Sequence, residues 1–171
     1  VSDAGTLKRM DYSYIKASGI TVADQWRISA DDAVDASETD LDSNWEQVDT
    51  TGLSTIGSSM TQSSGVFTFP STGIYHVTFC IWYYGSTGAD YAKCTIKHDN
   101  GSGSLTTMAD GKGNLGSAEY TTGTANVLFD CQNTSTDKVV FFGGGGVNVN
   151  VIQGSTSQNR TYATFIRLGD T

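Results

Sequence analysis

Proline is nearly missing from this chain: Pro70 is the only one in 171 residues, against twenty glycines. That balance, with abundant Ser, Thr and Asn, describes many short strands joined by tight turns and excludes a helical bundle. Basic residues are few. Ten Lys and Arg stand against eighteen Asp and Glu, a net charge of −8, and the cations are scattered, which excludes the basic stripe that nucleic acid or an anionic membrane surface requires. Histidine occurs only at His76 and His98. His76 sits mid-strand among aromatics and His98 beside a turn, neither next to a nucleophile in a recognisable motif, so no catalytic residue is assigned and the chain is not read as an enzyme. No uninterrupted apolar run reaches the ~18 residues of a membrane-spanning helix. Neither a signal peptide nor a collagen-like G-x-y repeat is present.

Cysteine is sparse and odd in number: Cys80, Cys94 and Cys131. Their spacing fits no zinc pattern, and all three fall in expected strands, so they are read as small core residues of a chain assembled in a reducing cytoplasm. A Cys80–Cys94 disulfide is the alternative.

What the sequence does contain is concentrated in Gly65 to Phe79. Val66 to Phe69 is β-branched or aromatic, Pro70 stops the run, Gly73 supplies a turn, and Ile74 to Tyr84 is a second apolar run, so the segment reads as a hairpin. The pattern G-x-F-x-x-P-x-x-G-x-Y-x-x-x-F resembles the signature of the complement C-one-q globular head, which shares a jelly roll with tumour necrosis factor. Further segments follow in the family's order: Asp90 to Gly101, Gly123 to Cys131, Asp137 to Phe142 and Arg160 to Leu168. The resemblance covers about residues 45 to 169 and departs at Thr164, where the family carries glycine, and at Thr136-Asp137, where it carries G-D. It implies an all-β antiparallel jelly-roll sandwich, assembled as a homotrimer.

Residues 1–18 have no core period and read as an N-terminal linker, with the jelly roll spanning 19–171. Because the chain opens on Val1, it is expected to be the cut or processed end of a longer polypeptide. The leader's wording resembles a junction segment of tailed-bacteriophage structural proteins, especially marine ones, and D-Q-W-R-I-S followed by S-N-W-E resembles the opening of phage versions of this jelly roll. Ile20 to Ser29 is expected as a first strand, with Trp26 and Ile28 on one face, and Ile56 to Met60 as a later short strand. Between Ser29 and Trp45 lies an acidic loop. Asp31, Asp32, Asp35, Asp40 and Asp42 are the only metal candidates, for calcium, although their spacing matches no calcium loop and a solvated acidic face is the stronger reading.

Both alternating sets of Ile74 to Tyr84 are apolar, which implies burial on two sides. Tyr75, Val77, Phe79 and Ile81 are assigned to the sandwich, and Trp82, Tyr84 and His76 to contact with another subunit. Gly101 to Gly116 is expected as a long surface loop, and Gly143 to Gly146 as a loop near the trimer apex. Tyr91 and Tyr120, with Tyr83 and Tyr84, are candidates to stack on sugars; loops 85–92 and 101–116 are the expected contacts to a host glycan or protein. The functional expectation is a bacteriophage virion structural protein, the receptor-binding head of a tail fibre or spike, with other virion proteins bound through the leader. The alternatives are a capsid decoration protein and a secreted C-one-q-like ligand-binding protein.

Overall fold

The alternation of Ile74 to Tyr84 organises the whole chain. In the computed structural model, which describes residues 2–3, 6–7, 19–34, 37–85, 91–145 and 150–171, this run is an inner strand of one of two packed antiparallel sheets. The expected linker, the loop beyond Gly85, Asp35 and Gly146 lie outside the described residues, apart from a small ribbon of β1 (Ser2–Asp3) and β2 (Thr6–Leu7). The body begins with six short strands: β3 (Ala23–Ile28), β4 (Asp32–Val34), β5 (Thr39–Asp40), β6 (Trp45–Gln47), β7 (Thr61–Ser63) and β8 (Val66–Thr68). Longer strands follow: β9 (Gly73–Gly85), β10 (Tyr91–Asp99), β11 (Leu105–Asn114), β12 (Glu119–Cys131) and β13 (Lys138–Gly145), then β14 (Asn150–Ile152) and β15 (Tyr162–Gly169). Among the described residues there is no helix.

One sheet runs β4-β14-β9-β15-β3-β6, with β12 on the other edge of β9; the second runs β11-β10-β13-β8-β7, with β5 also on β13. β9 pairs with β12 from Gly73↔Cys131 to Gly85↔Glu119, and on its opposite edge with β15 and then β14. Period-two alternation sends Tyr75, Val77, Phe79, Ile81 and Tyr83 into the sandwich, where each is fully buried. Phe67, at the centre of that layer, has Trp26, Trp45, Phe141 and Phe165 ring centroids within 5.0–5.6 Å, in the edge-on and tilted geometries that aromatic quadrupoles favour.

The D-Q-W-R-I-S and S-N-W-E strings are explained by this packing. Trp26 and Ile28 point inward as expected, but Asp24 is buried beside them. Its carboxylate accepts hydrogen bonds from the Trp26 indole at 2.9 Å, the Gln47 amide at 3.0 Å and the Met60 backbone N–H at 2.8 Å. Arg27 is fully buried on the opposite face. It donates to Glu46 at 2.6 Å, Thr50 at 2.7 Å, Asp49 at 2.8 Å and the Thr156 carbonyl. A buried charge is tolerated only when its hydrogen-bonding capacity is met in this way. Ser29 and Trp45 close the motif, donating to the carbonyls of Asn44 and Leu41.

Four sequence expectations are corrected. The segment read as a hairpin is not one: β8 pairs with β7 and β13, and β9 with β12, β14 and β15, so the turn between Pro70 and Gly73 carries the chain from one sheet to the other. The stretch expected as a loop, Gly101 to Gly116, contains β11, an edge strand paired along β10; its residues are exposed or half-buried, so it carries no apolar alternation to betray it. Ile56 makes only an isolated bridge to Ala23, and the strand begins at Thr61. Gly143 to Gly145 lie within β13 rather than in an apical loop. The glycines there are needed for close approach. A Cβ on Gly143 would stand 2.7 Å from the Tyr83 hydroxyl, which accepts from Gly144 N–H at 2.8 Å, while one on Gly144 would meet Glu38 Cα at 3.3 Å. The corner between the sheets uses the same device, since a Cβ on Gly111 would lie 2.0 Å from the Thr124 carbonyl oxygen.

Passing over Gly144 brings Glu38 onto the outer face of β10. There it accepts from Lys93 and Lys97 ammonium groups, each at 2.5 Å, and from the Thr95 hydroxyl at 2.8 Å. Burial raises the Glu38 pKa, but these hydrogen bonds outweigh it and hold the carboxyl at about 2, below its ordinary 4.5.

Two predictions follow from this packing. Gly111→Ala is expected to cost about 3 kcal/mol, the scale of overpacking against backbone, whereas Gly19→Ala, with nothing within 4 Å, leaves the urea midpoint unchanged; equal midpoints for the two variants would refute the corner contact. For Glu38, the depressed pKa means its stabilisation is present above pH 4.5 and lost as pH falls toward about 2. The stability gap between the wild type and Glu38→Gln should therefore be constant above pH 5 and shrink between pH 4.5 and 2, as measured by denaturant titration at each pH.

Candidate functional site

The outer face of β9 is the part of the surface that the fold leaves chemically unfinished. Ile74, His76, Thr78, Cys80, Trp82 and Tyr84 alternate with the core residues and are half-buried. The strands on either side set what stands beside them. Tyr120 lies directly opposite Tyr84, Thr122 opposite Trp82 and Leu128 opposite His76, while Ile166 flanks His76 from β15 and Tyr162 flanks Cys80.

The face divides into zones. At the Gly85 end, the Tyr120 ring centroid lies 4.8 Å from Tyr84 and 5.6 Å from Trp82, and the Arg160 guanidinium covers Trp82 at 5.2 Å. Tyr120 is still 59% exposed. The site is held by backbone: Trp82 N–H donates to the buried Thr161 hydroxyl at 3.1 Å, the Trp82 carbonyl accepts from Gln153 N–H at 2.8 Å, and Ala118 N–H donates to the Gly85 carbonyl at 2.7 Å. The middle is polar, with Thr78, Thr124, Asn126 and Thr164. At the Gly73 end, Leu128 is 66% exposed and Leu168 52%, around Ile74, His76 and Ile166. The exposed aromatic and aliphatic groups at the two ends make this face the candidate for contact with another molecule.

The expected subunit-contact residues Trp82, Tyr84 and His76 therefore share one face, and the structure adds Tyr120, Leu128, Ile166 and Arg160. The period-two run Tyr120, Thr122, Thr124, Asn126, Leu128 was the available signal for β12, weakened because its central members are polar. Tyr91 is elsewhere, on the other sheet, with the Lys112 ammonium 4.7 Å over its ring. Tyr83 is corrected as a sugar-stacking candidate: it is fully buried, and its hydroxyl donates to the Lys93 carbonyl at 2.7 Å, with burial raising its pKa.

Asp31 accepts from the distant Gly154 N–H at 2.8 Å, and Asp32 from its neighbour Ala33 N–H at 2.9 Å, a local turn-like role. Asp40 sits in β5, where burial and then the Asp42 carboxylate push its pKa up; Asp35 lies outside the described residues. Among the described residues, no three His, Cys, Asp or Glu side chains are grouped to hold a metal.

His98, read from the sequence as standing beside a turn, is partly buried: its Nε2 lies 3.3 Å from Asp137 and its ring is edge-on to Phe129 at 5.2 Å. Asp137 in turn accepts from the backbone N–H groups of Gln132 and Asn133, a structural role for this aspartate in the turn before β13. All three cysteines are free. Cys80 lies on the outer face and Cys94 in the core, so the Cys80–Cys94 disulfide is excluded by side-chain direction. Burial pushes the Cys94 thiol to about 12; burial followed by the Asp137 and Asp130 carboxylates pushes Cys131 to about 11, the reverse of an activated nucleophile.

No family model matches the sequence, and no curated protein matches it. Solved structures do. The Eiger TNF of S. frugiperda superposes with a TM-score of 0.65 at 14% identity, covering 90% of this chain and 96% of that one. Murine APRIL gives 0.60 at 13%, covering 86% and 98%. The vertex protein P5 of phage PRD1 gives 0.56 at 18%, covering 89% and 100%. At these identities the likeness is one of fold, and the fold of this chain is an all-β, antiparallel, TNF-like jelly roll.

Proposed function

We propose that this chain is a bacteriophage virion structural protein, the homotrimeric attachment head of a tail fibre or spike. The observation that carries the proposal is the unfinished outer face of β9, β12 and β15, with Trp82, Tyr84 and Tyr120 at one end and Leu128 and Leu168 at the other. Two further copies of the chain are its occupants. A face with aromatic and aliphatic ends around a polar middle suits self-association around an axis, because each copy presents the same complementary zones. The fold shared with a TNF and with a phage vertex protein supports this reading, as do the phage-like leader and opening strings. The role is non-catalytic: three identical heads turn weak single-site affinity into avidity. Assembly in the host cytoplasm leaves the thiols reduced.

Capsid decoration is the second reading, favoured by the likeness to a vertex protein. Immunogold labelling of the phage that carries this chain separates the two: gold at fibre or spike tips is expected, gold spread over the capsid would establish decoration, and unlabelled particles would overturn both.

Trp82→Glu places a charge inside the proposed contact. It is expected to convert a trimer to monomer on sedimentation while far-ultraviolet circular dichroism stays unchanged. A trimer that persists in both Trp82→Glu and Tyr120→Glu would overturn the assignment of the face.

A further inference from the structure

The sheet on the far side of the sandwich carries a groove of about 420 Å³, within the range of small-ligand sites. Its lining is fixed by register. Thr61 lies opposite Thr68, Thr68 opposite Lys138, and Lys138 opposite Asp99. Directly opposed residues share a face of the sheet, so these four form one row across β7, β8, β13 and β10, three interstrand spacings or about 14 Å long. Ser63 and Val66, themselves opposed two residues further along, add a hydroxyl and a small apolar patch.

The polar groups of this row are left open. Among the described residues, the Thr61, Ser63, Thr68 and Lys138 side chains make no hydrogen bond or ion pair within the protein. Asp99 accepts from Gly101 N–H at 2.8 Å and has its other carboxylate oxygen free. Lys138 and Asp99, although in register, do not form an ion pair. The other half of the same sheet is built differently, with Lys93, Lys97, Glu38 and Asp110 interlocked. One carboxylate, one ammonium and three hydroxyls around an apolar patch match a ligand with many hydroxyls and no net charge. The carboxylate accepts from paired hydroxyls, the ammonium and hydroxyls donate to ring and hydroxyl oxygens, and Val66 meets the C–H face of a ring. A polyanion is disfavoured by Asp99 and by the chain's net charge of −8.

We propose that this groove binds a short, uncharged oligosaccharide. The inference rests on the attachment reading above, and it gives that reading a ligand class and a place: the groove faces away from the self-association surface and stays open in the trimer.

The test uses the full chain on an array of uncharged and sialylated oligosaccharides, with the bound sugars then titrated free in solution by calorimetry. Uncharged oligosaccharides are expected to bind. Asp99→Asn, which keeps an acceptor for the Gly101 turn, and Thr68→Val should each weaken binding about tenfold, the scale of one hydrogen bond to a charged or buried polar partner, with an unchanged unfolding midpoint. Tyr91→Ala should have no effect. Binding of sialylated sugars alone, affinity unmoved in both groove variants, or no uncharged sugar bound would overturn the groove. The solution mass separates this outcome from the attachment reading: a trimer that binds no uncharged sugar overturns the groove alone, whereas a monomer that binds through Asp99 and Thr68 supports the groove and removes the trimer.

Discussion

The two-sided demand placed on β9 is the constraint from which the rest of the structure follows. A thirteen-residue strand hydrogen-bonded along both edges has no flexibility of register, because a slip of one residue would exchange Tyr75, Val77, Phe79 and Ile81 for Ile74, His76, Thr78 and Cys80. The inner set is saturated by the Phe67-centred ring cluster. The outer set is covered only in part, and this imbalance between the two faces is the observation on which the proposed self-association rests.

Charge is handled with the same economy. Asp24, Arg27 and Glu38 are each enclosed by donors or acceptors drawn from segments distant in sequence. Such contacts tie the irregular connections, which have little apolar content of their own, onto the sheets. The acidic stretch after Ser29 thereby acts as an anchor: Asp31 fixes Gly154, and Glu38 pins its segment across Gly144 to the lysines of β10. The run of carboxylates is, where described, distributed among separate partners, near in sequence for Asp32 and distant for Asp31 and Glu38.

Much of this was legible in the sequence where one rule acted alone. The strands at Val66 and Ile74, the inward face of β9 and the Trp26/Ile28 pair all follow from alternation, whereas the hairpin pairing read into the first two does not hold, because β8 and β9 lie in different sheets. The misreadings have a common physical cause. β11 and the glycines of β13 are strands whose side chains are small or solvated, so their pairing is dictated by neighbours rather than by their own pattern. Tyr83 looked available because it ends an aromatic run, yet parity along β9 sends it inward, and Gly143 makes room for its hydroxyl. On the outer face, Trp82 and Tyr84 could be named from one strand, but Tyr120, Leu128 and Ile166 join them only through cross-strand register, which a single sequence does not carry.

On these proposals the two sheets divide the tasks, one facing further copies of the chain and the other presenting an open polar row to solvent. Everything assigned to the outer face of β9 depends on its being covered by further copies of the chain. Light scattering of the unmodified protein across a dilution series measures this most directly: a mass three times the 18.1 kDa of the chain, holding on dilution, is the predicted result, and a mass of one chain at every concentration would contradict the account.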